Sequence, residues 1–151
     1  MVYGFGDASG GGFGSSIKIR QDISYRAGVY GADFDGESSN YRELSNVIIA
    51  LEEEASSGSL QDTTVFFFTD NSTVEAALYK GTTASKKLLD LVIRFYALQA
   101  QYGILIHVVH VSGKRMIAQG TDGLSRGQLG EGVMEGLDML DFVPLHLSAA
   151  D

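Results

Sequence analysis

Four acidic residues stand where a folding chain rarely places charge. Asp7 lies inside an apolar run, Glu43 within an amphipathic segment, Asp70 at the close of VFFFTD, and Asp122 in QGTDGLSR. Carboxylates in such places cap helices, meet solvent or bind cations. Asp7 shares side-chain parity with Tyr3 and Phe5, so it points to the same face as two aromatic rings. An unpaired carboxylate buried on that face is too costly to keep, and no Lys or Arg lies near it in the sequence. A divalent cation, which prefers oxygen ligands, is the simplest partner. Asp70 precedes Asn-Ser-Thr and a helical pattern, so N-capping is the alternative reading for that residue taken alone.

The elements that must position these acids follow from periodicity. Residues 2–8 alternate as a strand, the glycines at 10–12 make a turn, and FGSSIKIR and ISYRAGVY read as two further strands. Links this short permit only antiparallel neighbours. Residues 40–55 place Leu44, Val47, Ile48 and Leu51 on one helical stripe. VFFFTD, residues 65–70, reads as a central strand buried on both faces. Helices are predicted at 72–80 and from Ser85 to Tyr102, the second with Leu88, Val92, Phe95 and Tyr96 facing inward. ILIHVVHV (104–111) is a last strand, QGTDGLSR a short final helix opened by Asp122, and the tail adds a helical turn or two. The order βββ-α-β-α-α-β-α predicts an α/β fold, a five-stranded mixed sheet with helices on both faces. A crossover makes the strand ending at Asp70 parallel to the strand of Asp7. As neighbours they project both aspartates from one region of the sheet.

Composition bounds the chemistry. The 151 residues suit one domain, and the absence of cysteine excludes disulfides and thiol nucleophiles. No basic leader precedes an apolar stretch, and the apolar runs are too short to span a bilayer. Net charge is −8, but from Gln128 onward there are five acids and no Lys or Arg. That acidic end weakens the objection to a nucleic-acid partner. Neither G-x-G-x-x-G nor G-K-[ST] follows the glycine-rich start, so a nucleotide-binding loop is excluded.

YGFGDASGGGFGSSI, SSNYRELSNVIIALE, VFFFTDNSTVEAALYKG and HVSGKRMIAQGTDGLSRG resemble, in order and spacing, the four motif blocks of the ribonuclease H domain of retroelement reverse transcriptases. The gypsy and DIRS-like groups are nearest in pattern. The resemblance covers residues 2 to about 127, and 128–151 is then an acidic C-terminal extension packed on or flanking that domain. It implies a ribonuclease H-like fold and a metal-dependent endonuclease cutting the RNA strand of RNA/DNA hybrids. Asp7, Glu43, Asp70 and Asp122 would hold two Mg²⁺ ions, with Mn²⁺ as a substitute. His110 matches the motif histidine, which assists proton transfer or product release. Its bland alternative is a strand histidine with a satisfied ring. Ser38, Ser39, Asn40 and Asn71 flank the acids and either cap helices or contact phosphates and ribose 2′-hydroxyls. The glycines would form a tight hairpin beside a groove approached by nucleic-acid backbone. The resemblance also implies an upstream reverse transcriptase polymerase domain in a parent polyprotein, no membrane, and an intracellular place, cytoplasmic or nuclear, with the retroelement replication complex.

The last block departs from the pattern: Ser112 stands where Pro is usual, the usual Asn is absent, and two extra residues precede Asp122. The basic helical insertion of some ribonucleases H is missing, with only GTTAS between the middle helices and Lys86 and Lys87 after it. The rival class is a non-catalytic scaffold or interaction module of the same fold. Such modules usually lose acids, and this chain keeps all four.

Overall fold

The computed structural model describes residues 1–148; Asp151, one of the five C-terminal acids, lies outside them. The strands are β1 (Val2–Ala8), β2 (Gly12–Ile19), β3 (Asp22–Val29), β4 (Thr64–Thr69) and β5 (Leu105–His110). The helices are α1 (Ser39–Ser56), α2 (Ser72–Lys80), α3 (Lys86–Tyr102), α4 (Gly113–Gln119), α5 (Thr121–Ser125) and α6 (Leu145–Ser148). Short 3-10 turns occupy Ala32–Phe34, Gly132–Glu135 and Met139–Phe142. One sheet runs in the order β3-β2-β1-β4-β5. Its first three strands form the antiparallel meander, and β4 pairs in parallel with both β1 and β5. The expected five-stranded mixed sheet is present.

The apolar run of β4 divides its side chains between two cores. Val65 and Phe67 join Leu44, Val47, Ile48 and Leu51 of α1 and Leu91, Val92 and Phe95 of α3 on one face. Phe68 joins Tyr3, Phe5, Val111 and Met116 on the other. Glycine in β1 serves this packing. A Cβ at Gly4 would lie 2.7 Å from Phe67 Cδ2, and one at Gly6 would lie 2.9 Å from Phe67 Cε1. The Phe67 ring lies across the strand where side chains would otherwise stand.

Residues 128–148 help cover the second face. Val133, Met139 and Val143 are buried in the cluster of Tyr3, Phe5 and Phe68, and Leu140, Phe142 and Leu147 pack against it. Lys18 pairs with Asp138 at 2.9 Å, and the Tyr25 hydroxyl donates to the Val133 carbonyl. Among the described residues no helix is long and apolar enough to cross a membrane.

Two sequence expectations need correction. The sequence pattern predicts no helix over 113–118, yet these residues with Gln119 form α4, N-capped by Ser112, whose hydroxyl accepts from the Arg115 N–H at 3.2 Å. The QGTDGLSR helix is therefore not alone after β5, nor the last. Tyr96 does not face inward but is 44% exposed, and its hydroxyl reaches across to the Leu78 carbonyl of α2 at 2.6 Å. An amphipathic tyrosine at the edge of the stripe satisfies its polar end in this way.

The burial of the tail predicts a stability cost. Met139 is wholly buried, so Met139→Ala is expected to destabilise the protein by about 2–5 kcal/mol. Urea denaturation followed by circular dichroism measures it. An unchanged midpoint would show that this segment does not complete the second core.

Candidate active site

The site grows from the parallel β1–β4 pair. Phe5 stands opposite Phe68, with ring centroids 4.8 Å apart. Asp7 lies two residues beyond that rung on β1, and Asp70 follows the last residue of β4. Side-chain alternation therefore sends both aspartates to the same side, above the paired rings.

The third carboxylate arrives from α1. Ser38 caps this helix, accepting from the Tyr41 N–H at 3.1 Å. One turn inside, Glu43 Oε1 accepts from the Ala8 N–H at 2.9 Å, and Asp7 Oδ1 accepts from the same N–H at 3.0 Å. Asn46, one turn further, donates through Nδ2 to the carbonyls of Asp7 (3.1 Å) and Gly14 (2.9 Å). Its Oδ1 accepts from Arg26 Nη1 at 2.8 Å. The sequence reading missed Asn46. Its signal was a polar residue on the stripe that buries Leu44 and Val47.

Asp7, Glu43 and Asp70 each offer a carboxylate oxygen within 4.8 Å of the others. Asp7 and Glu43 are almost wholly buried, at 3% and 5% exposure, and Asp70 is half-buried. Two unit charges about 5 Å apart repel by about 3 kcal/mol at an effective dielectric near 20. The acids hold their protons more tightly as a result. Burial pushes the Asp7 carboxyl up to about 10, helped by its hydrogen bond to Glu43 and by the charges of Glu43 and Asp70. Burial also raises Glu43, and burial followed by Asp122 raises Asp70. Glu43 Oε2 is buried without a hydrogen-bond partner, the one such side-chain atom among the described residues. An orphan oxygen facing two further carboxylates fits a divalent cation and fits little else.

The other predicted residues divide. Asp122, in the first turn of α5, acts on the charges of Asp7, Glu43 and Asp70. It is not within the compact group of three, and its Oδ2 accepts from Arg126 Nε at 3.3 Å. His110 ends β5 beside Thr69; its ring is exposed and its charge lowers Asp70. Asn71, rather than Asp70, caps α2, accepting from the Val74 N–H at 3.0 Å. This overturns the capping alternative for Asp70 and leaves its carboxylate for the cluster. Asn71 Nδ2 donates to Asn40 Oδ1 at 2.9 Å, tying the starts of α1 and α2 together. Ser39 is exposed in the first turn of α1. Lys87 pairs with Glu37, and Lys86 is exposed.

The expected tight hairpin joins β1 to β2, with the Ser9 N–H donating to the Gly12 carbonyl at 2.8 Å, and its glycines have a further job. Gly10 and Gly11 face open space, but a Cβ at Gly12 would lie 2.4 Å from the Ser125 carbonyl oxygen. One at Gly14 would lie 2.6 Å from Leu124 Cβ. These two positions admit α5, the helix of Asp122, directly onto β2. The close approach is made by the chain's own helix.

No family model matches the sequence, and no curated protein does. Solved structures match the fold. RNase H1 from the halophilic archaeon Halobacterium salinarum is 20% identical with a TM-score of 0.66, over 85% of this chain and 96% of that one. LC11-RNase H1, solved in complex with an RNA/DNA hybrid, is 17% identical with a TM-score of 0.65, over 82% and 93%. The protease–reverse transcriptase of prototype foamy virus is 13% identical with a TM-score of 0.53, over 84% of this chain and 20% of that one. The chain has a ribonuclease H-like fold.

Protonated Asp7 makes stability fall with rising pH in the absence of metal. The unfolded carboxyl releases its proton near 3.8, and the folded one near 10. Between those values folding takes up a proton. The stabilisation is full below the lower value and is lost progressively towards the upper, by at most about 1.4 kcal/mol per pH unit. Melting in EDTA at pH 5, 7 and 9 is expected to show a steeper decline for the parent than for Asp7→Asn. Equal slopes would mean that Asp7 is ionised in the folded protein.

Proposed function

We propose that this protein is a metal-dependent ribonuclease H that hydrolyses the RNA strand of RNA/DNA hybrids. The observation that carries the reading is the buried Asp7–Glu43–Asp70 group with its orphan Glu43 oxygen. It sits in a ribonuclease H-like fold, and one similar structure is described as a complex with RNA/DNA hybrid. Asp7, Glu43 and Asp70 hold the metal, and Asp122 extends the set towards a second ion. Two Mg²⁺ ions, or Mn²⁺ in their place, supply activation of a water and stabilisation of the leaving 3′ oxygen in an in-line displacement. His110, exposed on the rim beside Asp70, assists proton transfer or product release.

Binding groups remain at the helix starts. Ser38 and Asn71 each use their side-chain oxygen as a cap. The hydroxyls of Ser38 and Ser39 and the amide nitrogens of Asn40 and Asn71 keep N–H or O–H donors to read phosphates and ribose 2′-hydroxyls. The four-block pattern, with the likeness to a viral protease–reverse transcriptase, supports a retroelement origin of the gypsy or DIRS-like type. A polymerase domain in the parent polyprotein and an intracellular place with the replication complex belong to the same reading. We assign residues 128–148 to the same folding unit, since their apolar side chains share its second core.

Cleavage of labelled RNA/DNA hybrid with Mg²⁺, absent in EDTA and sparing duplex DNA, is the expected result. Equal cutting of double-stranded DNA would replace the proposal with a general nuclease. Asp70→Asn is expected to reduce cleavage to background while the metal-free protein melts no lower than the parent, because one repelling charge is gone. An unfolded Asp70→Asn protein would make Asp70 structural.

Grip on the hybrid is expected to be weak. Five of the eleven Lys and Arg side chains, Lys18, Arg26, Lys87, Arg94 and Arg126, are paired with acids, and Arg42 donates to the Glu37 and Gly10 carbonyls. The other five are dispersed along the chain, so only a subset can meet the phosphates of one hybrid. The slope of log affinity against log salt is then no steeper than about −3, at about −0.9 per phosphate neutralised. Fluorescence anisotropy with a labelled hybrid measures it, and a much steeper slope would reveal a basic surface.

A further inference from the structure

Ser16 on β2, Gln119 at the end of α4 and Thr121 at the start of α5 are polar, and each is wholly buried. Their side chains close a ring. Gln119 Nε2 donates to Ser16 Oγ at 2.8 Å, and the Ser16 and Thr121 hydroxyls bond at 2.9 Å. Gln119 Oε1 accepts from the Thr121 hydroxyl and from the Thr121 N–H, the latter at 3.0 Å. Every polar side-chain atom of the ring has a partner, consistent with the single orphan elsewhere. Replacing such a set with apolar groups of like volume is close to neutral for stability. What the ring supplies is geometry.

The geometry in question is that of Asp122. The α4–α5 junction turns at Gly120, with φ +106°, and Gly120 gives α5 no side-chain cap. The Gln119 carboxamide takes the cap's place on the Thr121 N–H. Gly12 and Gly14 let α5 lie on β2 with no side chain between; the ring holds its first turn there, while the Ser9 hydroxyl donates to the Ser125 carbonyl at 2.8 Å at its last. From outside, Gly132 presses the same junction: a Cβ there would lie 2.1 Å from the Gln119 carbonyl oxygen. Asp122 is the residue next to the ring, and its partner Arg126 is largely exposed.

We propose that the Ser16–Gln119–Thr121 ring is the positioning element of Asp122, holding the first turn of α5 so that this carboxylate can join Asp7, Glu43 and Asp70 around a divalent cation. The inference rests on the metal-site reading above. None of the three ring residues touches substrate or metal. They act through Asp122.

The test uses the full chain and Mn²⁺ titration calorimetry without substrate. The triple variant Ser16→Ala/Gln119→Met/Thr121→Val removes the ring, leaving no side chain of the ring unpaired but taking the Gln119 acceptor from the Thr121 N–H. It is expected to fold, by circular dichroism, and to bind Mn²⁺ about tenfold more weakly than the parent, as outer-shell changes do. Thr121→Ser, which keeps the hydroxyl, is expected to bind as the parent does. In an Asp122→Asn background the triple change is expected to have no further effect. Equal weakening in both backgrounds would make the ring merely structural, and parent-like affinity in the triple variant would likewise overturn the proposal. If the triple variant does not fold, Thr121→Val against Thr121→Ser, each with and without Asp122→Asn, gives the same decision. A parent that binds no Mn²⁺ would overturn the metal-site reading and this inference with it. Mn²⁺ binding by the parent with an indifferent ring would overturn this inference alone.

Discussion

The rest of the structure depends on the mutual repulsion of carboxylates taken out of water. Asp7 and Glu43 share one backbone donor, the Ala8 N–H, and no lysine or arginine lies against either carboxylate. A fold tolerates such a group when strong local packing holds its members in place and a proton or a cation relieves the charge. Here burial and the neighbouring acids raise the Asp7 carboxyl to about 10, and one Glu43 oxygen is buried with no hydrogen-bond partner. The same arrangement that costs stability without metal makes a preformed ligand set with it.

The packing that holds the acids is built from rigid pieces on both faces of the sheet. Phe67 lies over Gly4 and Gly6 on the α1 side, and the Phe5–Phe68 pair supports the aspartates on the other. Asn46 joins α1 to β1 and β2 at the level of Asp7. The Asn40–Asn71 bond joins α1 to α2 at the level of Asp70. The carboxylates are thus delivered by the central strand of the sheet, the end of its neighbour and a helix, cross-braced by amide side chains. Aromatic rings supply the area and the amides supply the register.

Electrostatics separates the site from the surface. The acidic tail lies on the second core, with Asp138 paired to Lys18, so its charge is placed by apolar packing. Five of the eleven Lys and Arg side chains are held in pairs with acids and the net charge is −8, which limits long-range attraction for a polyanion. Affinity for a nucleic acid then rests on short-range contacts near the carboxylates. A tethered polymerase domain would raise the local concentration of hybrid and compensate for a weak grip.

The sequence by itself determined the meander, the two crossovers and the pairing of Asp7 with Asp70. Alternation, short links and the handed βαβ connection act locally and leave few topologies. Helical spacing placed Glu43 in the first turns of α1, but only the resemblance of its sequence block singled it out among the acids. What the sequence could not decide was every contact between groups far apart in the chain. Whether Asp70 or Asn71 capped α2 turned on which side chain the cluster claimed. The role of Gly12 and Gly14 emerged only when α5 packed on β2 from more than a hundred residues away. Gln119 read as one polar residue among several, until folding joined it to Ser16 and buried both. Periodicity records which way a side chain points along its own element. Tertiary structure alone decides what it meets there, because hydrogen bonds and steric exclusion depend on atoms the local sequence does not contain.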